Sequence, residues 1–229
     1  MPEVEHVPGR ANVQVMSEQT ADGTEIVTDG EKRGGFPRFR HTPAGPDFGR
    51  FVEAMRRLQD LAVSTNVPDD VLADIATQAE ELADRLTPYE VPEGKSPAGS
   101  NIQLPGRGSL LMLPWMVEKF DTEGVRSTGV FRRYHLGGNG AAHGGVLPLL
   151  FDDVFGMTVH AGGRPISRTG YLHINYRAIT PLNTQLVIEG KVDRVEGRKT
   201  FVSARLTDLD GKLLADGEAL MIELLPGQP

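Results

Sequence analysis

GNGAAHGGVLPLLFDDVFG, residues 138–156, joins a glycine-rich turn to an apolar run that carries two aspartates side by side. From Val146 to Phe155 nearly every position is apolar, the pattern of a helix enclosed by protein on all sides. Carboxylates are costly in such a helix unless each has a partner or a task. Gly144 and Gly145 open the run, where the first backbone N–H groups have no intrahelical acceptor and the helix dipole is positive. With no Cβ in the way, a ligand oxygen can approach closely, so this end can polarise a carbonyl and hold the oxyanion formed when it is attacked. Asp152 lies about two turns further, ~10–12 Å along the axis, too far to touch the same atom as the glycines. It suits a carboxylate acting on a water that approaches the carbonyl, with the substrate lying along the helix. The neighbours Leu149, Leu150, Phe151 and Phe155 predict a desolvated carboxylate, a setting that favours a general base.

Strands follow the helix. SRTGYLHINYRAI, from 167, places Leu172, Ile174 and Tyr176 on one face and Tyr171, His173 and Asn175 on the other. TQLVIEGKVDRVEG, RKTFVSARLTDLDG and KLLADGEALMIEL continue the alternation, with a hairpin at Asp210-Gly211. GVRSTGVFRRYHL, before the helix, alternates as well. Consecutive strands with short turns and one helix predict an α+β fold, an antiparallel sheet with the helix on one face.

Upstream, the spacing predicts a helical pair over 47–88. Phe48, Phe51, Val52, Met55, Leu58 and Leu61 mark the first helix, and Leu72, Ile75, Ala79, Leu82 and Leu86 the second. Acids gather on the second, and the pair is expected to pack on the main domain or on a second subunit. Residues 1–46 read as a loosely ordered segment, 89–109 as a Pro- and Gly-rich linker, and 110–229 as the main domain.

The 229 residues carry a net charge of −7 and no cysteine, which argues against a nucleic-acid partner and removes disulfides and thiolate chemistry. No run reaches the ~18 apolar residues of a membrane span, and MPEVEHVPGRANVQVM has acids where a signal peptide needs basic residues. A cytoplasmic protein is expected.

His143-Gly144-Gly145, followed nine residues after the histidine by an acid in LLFDD, together with TGYLHINYRAITPL at 169–182, resembles the PaaI-like hotdog-fold acyl-CoA thioesterases, especially their long-chain members. The resemblance covers about residues 110–225. It implies a hotdog fold, a curved antiparallel sheet wrapped around residues 144–161, with an N-terminal helical extension. It also implies a homodimer or dimer of dimers, each interface site combining this helix from one subunit with the TGYLHINY strand of the other. Carried over residue by residue, Asp152 matches the catalytic acid, as general base on water or as nucleophile, and Gly144 the oxyanion donor. His143 matches a substrate-positioning residue and Thr169 the hydroxyl that orients the lytic water. Gly145, Asn175 and Arg177 join them as substrate contacts, and Arg194, Arg198 and Lys199 as candidates for the coenzyme A phosphates, which guanidinium groups suit. The implied substrate is an acyl-CoA, with no cofactor and no metal.

Two features depart from the pattern. Many relatives have Asn or Gln six residues before the histidine, where this chain has Gly137, and the interval from Asp152 to Thr169 is about one residue longer than usual. Asp153 reads as a structural residue. A non-catalytic acyl-CoA-binding module on the same fold is the alternative function. A hydratase would need an Asp and a His a few residues apart, which Asp152 and His160 do not supply. His135, His143 and the aspartates fit no metal-ligand spacing.

Overall fold

A computed structural model describes residues 42–92 and 94–228. The first 41 residues, most of the segment read as loosely ordered, lie outside the described residues.

The two amphipathic patterns form α1 (Phe48–Ala62) and α2 (Asp69–Leu86). After the segment 87–115 come β1 (Met116–Asp121), β2 (Gly124–Gly129), and the short β3 (Leu136–Gly138) and β4 (Ala141–Ala142). Then follow α3 (Val146–Ala161), β5 (Ser167–Tyr176), β6 (Leu186–Glu196), β7 (Lys199–Asp208) and β8 (Leu213–Glu223). Six strands make one antiparallel sheet in the order β1-β2-β6-β7-β8-β5. β1 lacks a clean alternation, and the sequence reading did not single it out.

The sheet curls around α3, which packs against all six strands. Leu147, Leu150, Phe151, Val154, Phe155 and Val159 are buried against Leu186, Ile188, Val202, Leu206 and Ala219 of the sheet. Each large apolar side chain buried there contributes about 1.5–3 kcal/mol. Only one stripe of α3, Asp152, Gly156 and His160, is exposed. The hotdog arrangement and α+β class are as expected.

The N-terminal helices behave differently from each other. α1 docks on the main domain through charge. Arg132 pairs with Asp60 at 2.7 Å and with Glu53 at 2.7 Å, and the Tyr134 N–H donates to Asp60. Arg56, 1% exposed, donates to the carbonyls of Pro105 and Ser109. α2 buries none of its residues. The second half of the expected linker is packed: Asn101, Gly106 and Gly108 are buried. No helix among the described residues is long and apolar enough to cross a membrane.

Candidate functional site

The turn into α3 begins at β3 and β4. Asn139 and Gly140 adopt left-handed conformations, φ 48° and 74°, so this pair serves a tight turn. At Gly137 a Cβ would lie 2.6 Å from the Cα of His143, so the backbone approach there leaves no room for the amide side chain many relatives carry. Downstream, the His143 N–H donates to the carbonyl of buried His135, 2.7 Å away. His135 is a structural group: its Nδ1 accepts the Arg132 N–H at 2.8 Å, and burial pushes its pKa down from 6.5 to about 4.

The helix start divides its donors. The Gly145 N–H is taken by Nδ1 of His143 at 3.0 Å, so Gly145 is not the open donor the sequence suggests. With Nδ1 accepting, a neutral His143 ring carries its proton on Nε2. The Gly144 N–H finds no acceptor among the described residues. Its peptide is held on one side by the His143 carbonyl, which accepts the Val146 N–H at 3.0 Å. On the other side Tyr176 Oη donates to the Gly144 carbonyl at 2.8 Å. Sequence reasoning placed Tyr176 on the correct face and missed this role, which the alternation around Ile174 signals.

Asp152 is exposed on the single chain. The expected desolvation is not supplied, because Leu150, Phe151 and Phe155 turn into the core while Asp152 lies on the one bare stripe of α3. Its Oδ1 accepts a hydrogen bond from Thr169 Oγ1 at 2.7 Å. Strict alternation back from Leu172 would put Thr169 with Tyr171, facing away. A bulge between Thr169 and Tyr171 removes that problem: Gly170 is the extra residue, and it turns Thr169 onto the face of Leu172, Ile174 and Tyr176. Thr169 thus reaches Asp152 despite the longer interval between them. The resemblance implies that helix and strand meet across two subunits, whereas Thr169 and Asp152 meet here within one chain.

Asp153 points to the other flank. Arg107 grips it with both terminal nitrogens, at 2.6 and 2.9 Å. Asn175 and Arg177 both bond to Asp216 on β8, and the Arg177 guanidinium, with the Asn175 amide, holds that carboxyl below its usual range against a smaller opposing effect of burial. At the far end of the sheet Arg194, Arg198 and Lys199 surround the β6–β7 turn. Arg194 stacks 3.5 Å over the Phe201 ring and pairs with Glu196, Arg198 donates to the Glu223 carbonyl, and Lys199 is exposed. Register places Thr200, Met221 and Thr169 in line across β7, β8 and β5, so this basic turn lies at the Thr169 end of the site. Among the described residues no group of three or more His, Cys, Asp or Glu side chains is arranged to hold a metal ion.

Residues 139–215 match the family model of the thioesterase superfamily. A crystal structure of a thioesterase superfamily protein superposes with a TM-score of 0.69 and 26% identity, over 79% of this chain and 97% of that one. That coverage exceeds what residues 110–229 alone supply, so part of the N-terminal extension recurs there. The acyl-coenzyme A thioesterase THEM4 of Rattus norvegicus is 36% identical over 91 residues, 39% of each chain. The THEM4 of Xenopus laevis is 33% identical over 95 residues, 41% of this chain and 42% of its own. The matched stretch is thus about two-fifths of the length of these relatives. A six-stranded sheet curled around one apolar helix, with a solved thioesterase superfamily structure superposing over most of the chain, gives the protein a hotdog fold whose residues 139–215 are similar to the thioesterase superfamily.

Proposed function

We propose that the protein hydrolyses acyl-CoA thioesters to a free acid and CoA. The observation that carries this reading is the hydrogen bond from Thr169 to Asp152 on a helix whose opening Gly144 N–H has no acceptor among the described residues. A water held by Asp152 and Thr169 attacks the thioester carbonyl, and Asp152 takes its proton. The developing oxyanion accepts from the Gly144 N–H. The C–S bond then breaks, and the proton passes from Asp152 to the departing thiolate sulfur. The name of the THEM4 relatives supports the substrate class, and the basic residues Arg194, Arg198 and Lys199 near the Thr169 end suit the CoA phosphates.

The active unit in this reading is a dimer. Gly144 and Asp152 are eight residues apart on one helix, about 12 Å of axis, so one carbonyl cannot meet both on a single chain. A second copy with its α3 alongside in the opposite sense brings one subunit's Gly144 next to the other's Asp152. The exposed stripe of α3 and the position of β5 as the last strand of the sheet, with Tyr171 and Tyr176 exposed, support such an interface. Burial against the second copy would also supply the desolvation that Asp152 lacks alone.

The test is CoA-thiol release across a panel of short, long and aromatic acyl-CoAs, with Asp152→Asn beside the wild type. Turnover of at least one acyl-CoA is expected, with kcat lowered about 10²- to 10⁴-fold in the variant. No turnover of any substrate, or wild-type kcat in Asp152→Asn, would end this reading.

A further inference from the structure

α3 is apolar around most of its circumference, so burial alone distinguishes poorly between one rotation of the helix about its axis and another. Polar contacts register it: Tyr176 at Gly144, Thr169 at Asp152, and Arg107 at Asp153. The Arg107 contact is the strongest in kind, a two-pronged guanidinium–carboxylate pair whose side chains are 22% and 18% exposed. A cavity of about 10 Å³ lies beside it, lined by Leu150, Val154 and Met157 of α3 and by Trp115 and Ser127 opposite. Packing on this flank is therefore incomplete.

Arg107 is itself held in a costly conformation. Gly106, Arg107 and Gly108 are all left-handed, at φ 56°, 54° and 76°, and Arg107 has a side chain to accommodate there. Its Nε donates to the Gly99 carbonyl at 3.1 Å, while its own carbonyl accepts from the Gly99 and Asn101 N–H groups. Buried Arg56 of α1 spans the same turn by donating to Pro105 and Ser109. A continuous set of bonds thus runs from α1 through the turn at 105–109 to the residue adjoining Asp152.

We infer that Arg107 is a positioning residue: its grip on Asp153 sets the rotation of α3 that aims Asp152 at Thr169, making the segment 99–108 part of the turnover machinery. This rests on the thioesterase reading for its kinetic consequence, and the carboxylate geometry can be followed without it.

Arg107→Ala, Arg107→Lys and Asp153→Asn are compared with the wild type by kcat, KM, thermal melting and the Thr169 Oγ1–Asp152 Oδ1 distance in a crystal structure of each. Arg107→Ala should lower kcat about 10- to 100-fold on the best acyl-CoA, as misplacement of a catalytic group does. KM should stay within about threefold, since no substrate contact is removed. Arg107→Lys should recover part of the loss, Asp153→Asn should resemble Arg107→Ala, and the 2.7 Å Thr169–Asp152 hydrogen bond should lengthen or break in both damaging variants. A lower melting temperature with wild-type kcat and an unchanged Thr169–Asp152 hydrogen bond would overturn the inference and leave a purely structural ion pair. If the wild type turned over no acyl-CoA, the thioesterase reading would fail. An unchanged Thr169–Asp152 distance in the variants would then still overturn the positioning role, and a broken contact would sustain it. Should Arg107→Ala fail to fold, Arg107→Lys and Asp153→Asn carry the same measurements.

Discussion

Helices α2 and α3 are nearly the same length, 18 and 16 residues, and treat their carboxylates in opposite ways. α2 buries nothing, and its six acids stand in water. There a carboxylate costs nothing and implies nothing. α3 buries eight residues, and both of its acids have specific partners, Thr169 for Asp152 and Arg107 for Asp153. An acid is informative in proportion to how little water its helix otherwise admits, which is why two adjacent aspartates on α3 say more than six on α2.

The sharpest way to break this contrast is through the core that encloses α3. Phe151 is fully buried, with its ring 5.9 Å from that of Phe155, and a Cβ on Gly217 of β8 would come within 3.1 Å of it. Phe151→Ala should cost about 3–5 kcal/mol, measured by urea unfolding. A loss under about 1 kcal/mol would mean that α3 is not seated as described.

Most of this enclosure was legible in the sequence. The apolar run, its opening glycines and the alternation of β5 to β8 are local patterns, and so is the helical spacing of apolar residues in α1 and α2. What escaped depends on relations that local pattern does not encode. The bulge at Gly170 changes the facing of Thr169 by one inserted residue. The Arg107–Asp153 pair joins residues 46 apart through a left-handed arginine in a segment that reads as a linker. The exposure of Asp152 depends on which side of a nearly all-apolar helix the sheet leaves uncovered. Gly137 reads as a break in the family pattern, and only the nearness of the His143 backbone explains it.

A smaller effect concerns the buried histidine beneath the α3 start. His135 is 5% exposed, and burial takes its pKa from 6.5 to about 4. Between those values the unfolded chain binds a proton that the folded chain refuses. The contribution of His135 is therefore fully present above pH 6.5, and stability is lost as pH falls, by at most about 1.4 kcal/mol per unit from this group. Urea unfolding at pH 7 and pH 5 should show the loss, and His135→Gln should flatten the slope even though it is less stable at pH 7. An unchanged slope would show that His135 is not the titrating group.

The smallest expected effect lies on α2 and tests the other half of the contrast. Ile75 sits in the middle of the apolar stripe formed with Leu72, Ala79, Leu82 and Leu86, yet it is 46% exposed. In the single chain Ile75→Gln removes little buried area, leaves no polar group unpaired and replaces a β-branched residue with a good helix former. Stability should change by no more than about 0.5 kcal/mol in urea, as for other surface substitutions. The same variant examined by sedimentation should keep the association state of the wild type. A loss of about 2 kcal/mol or more, or a shift towards smaller species, would show that a second copy covers this stripe in solution. α2 would then resemble α3 after all, and its pattern of apolar residues would report burial that one subunit cannot supply.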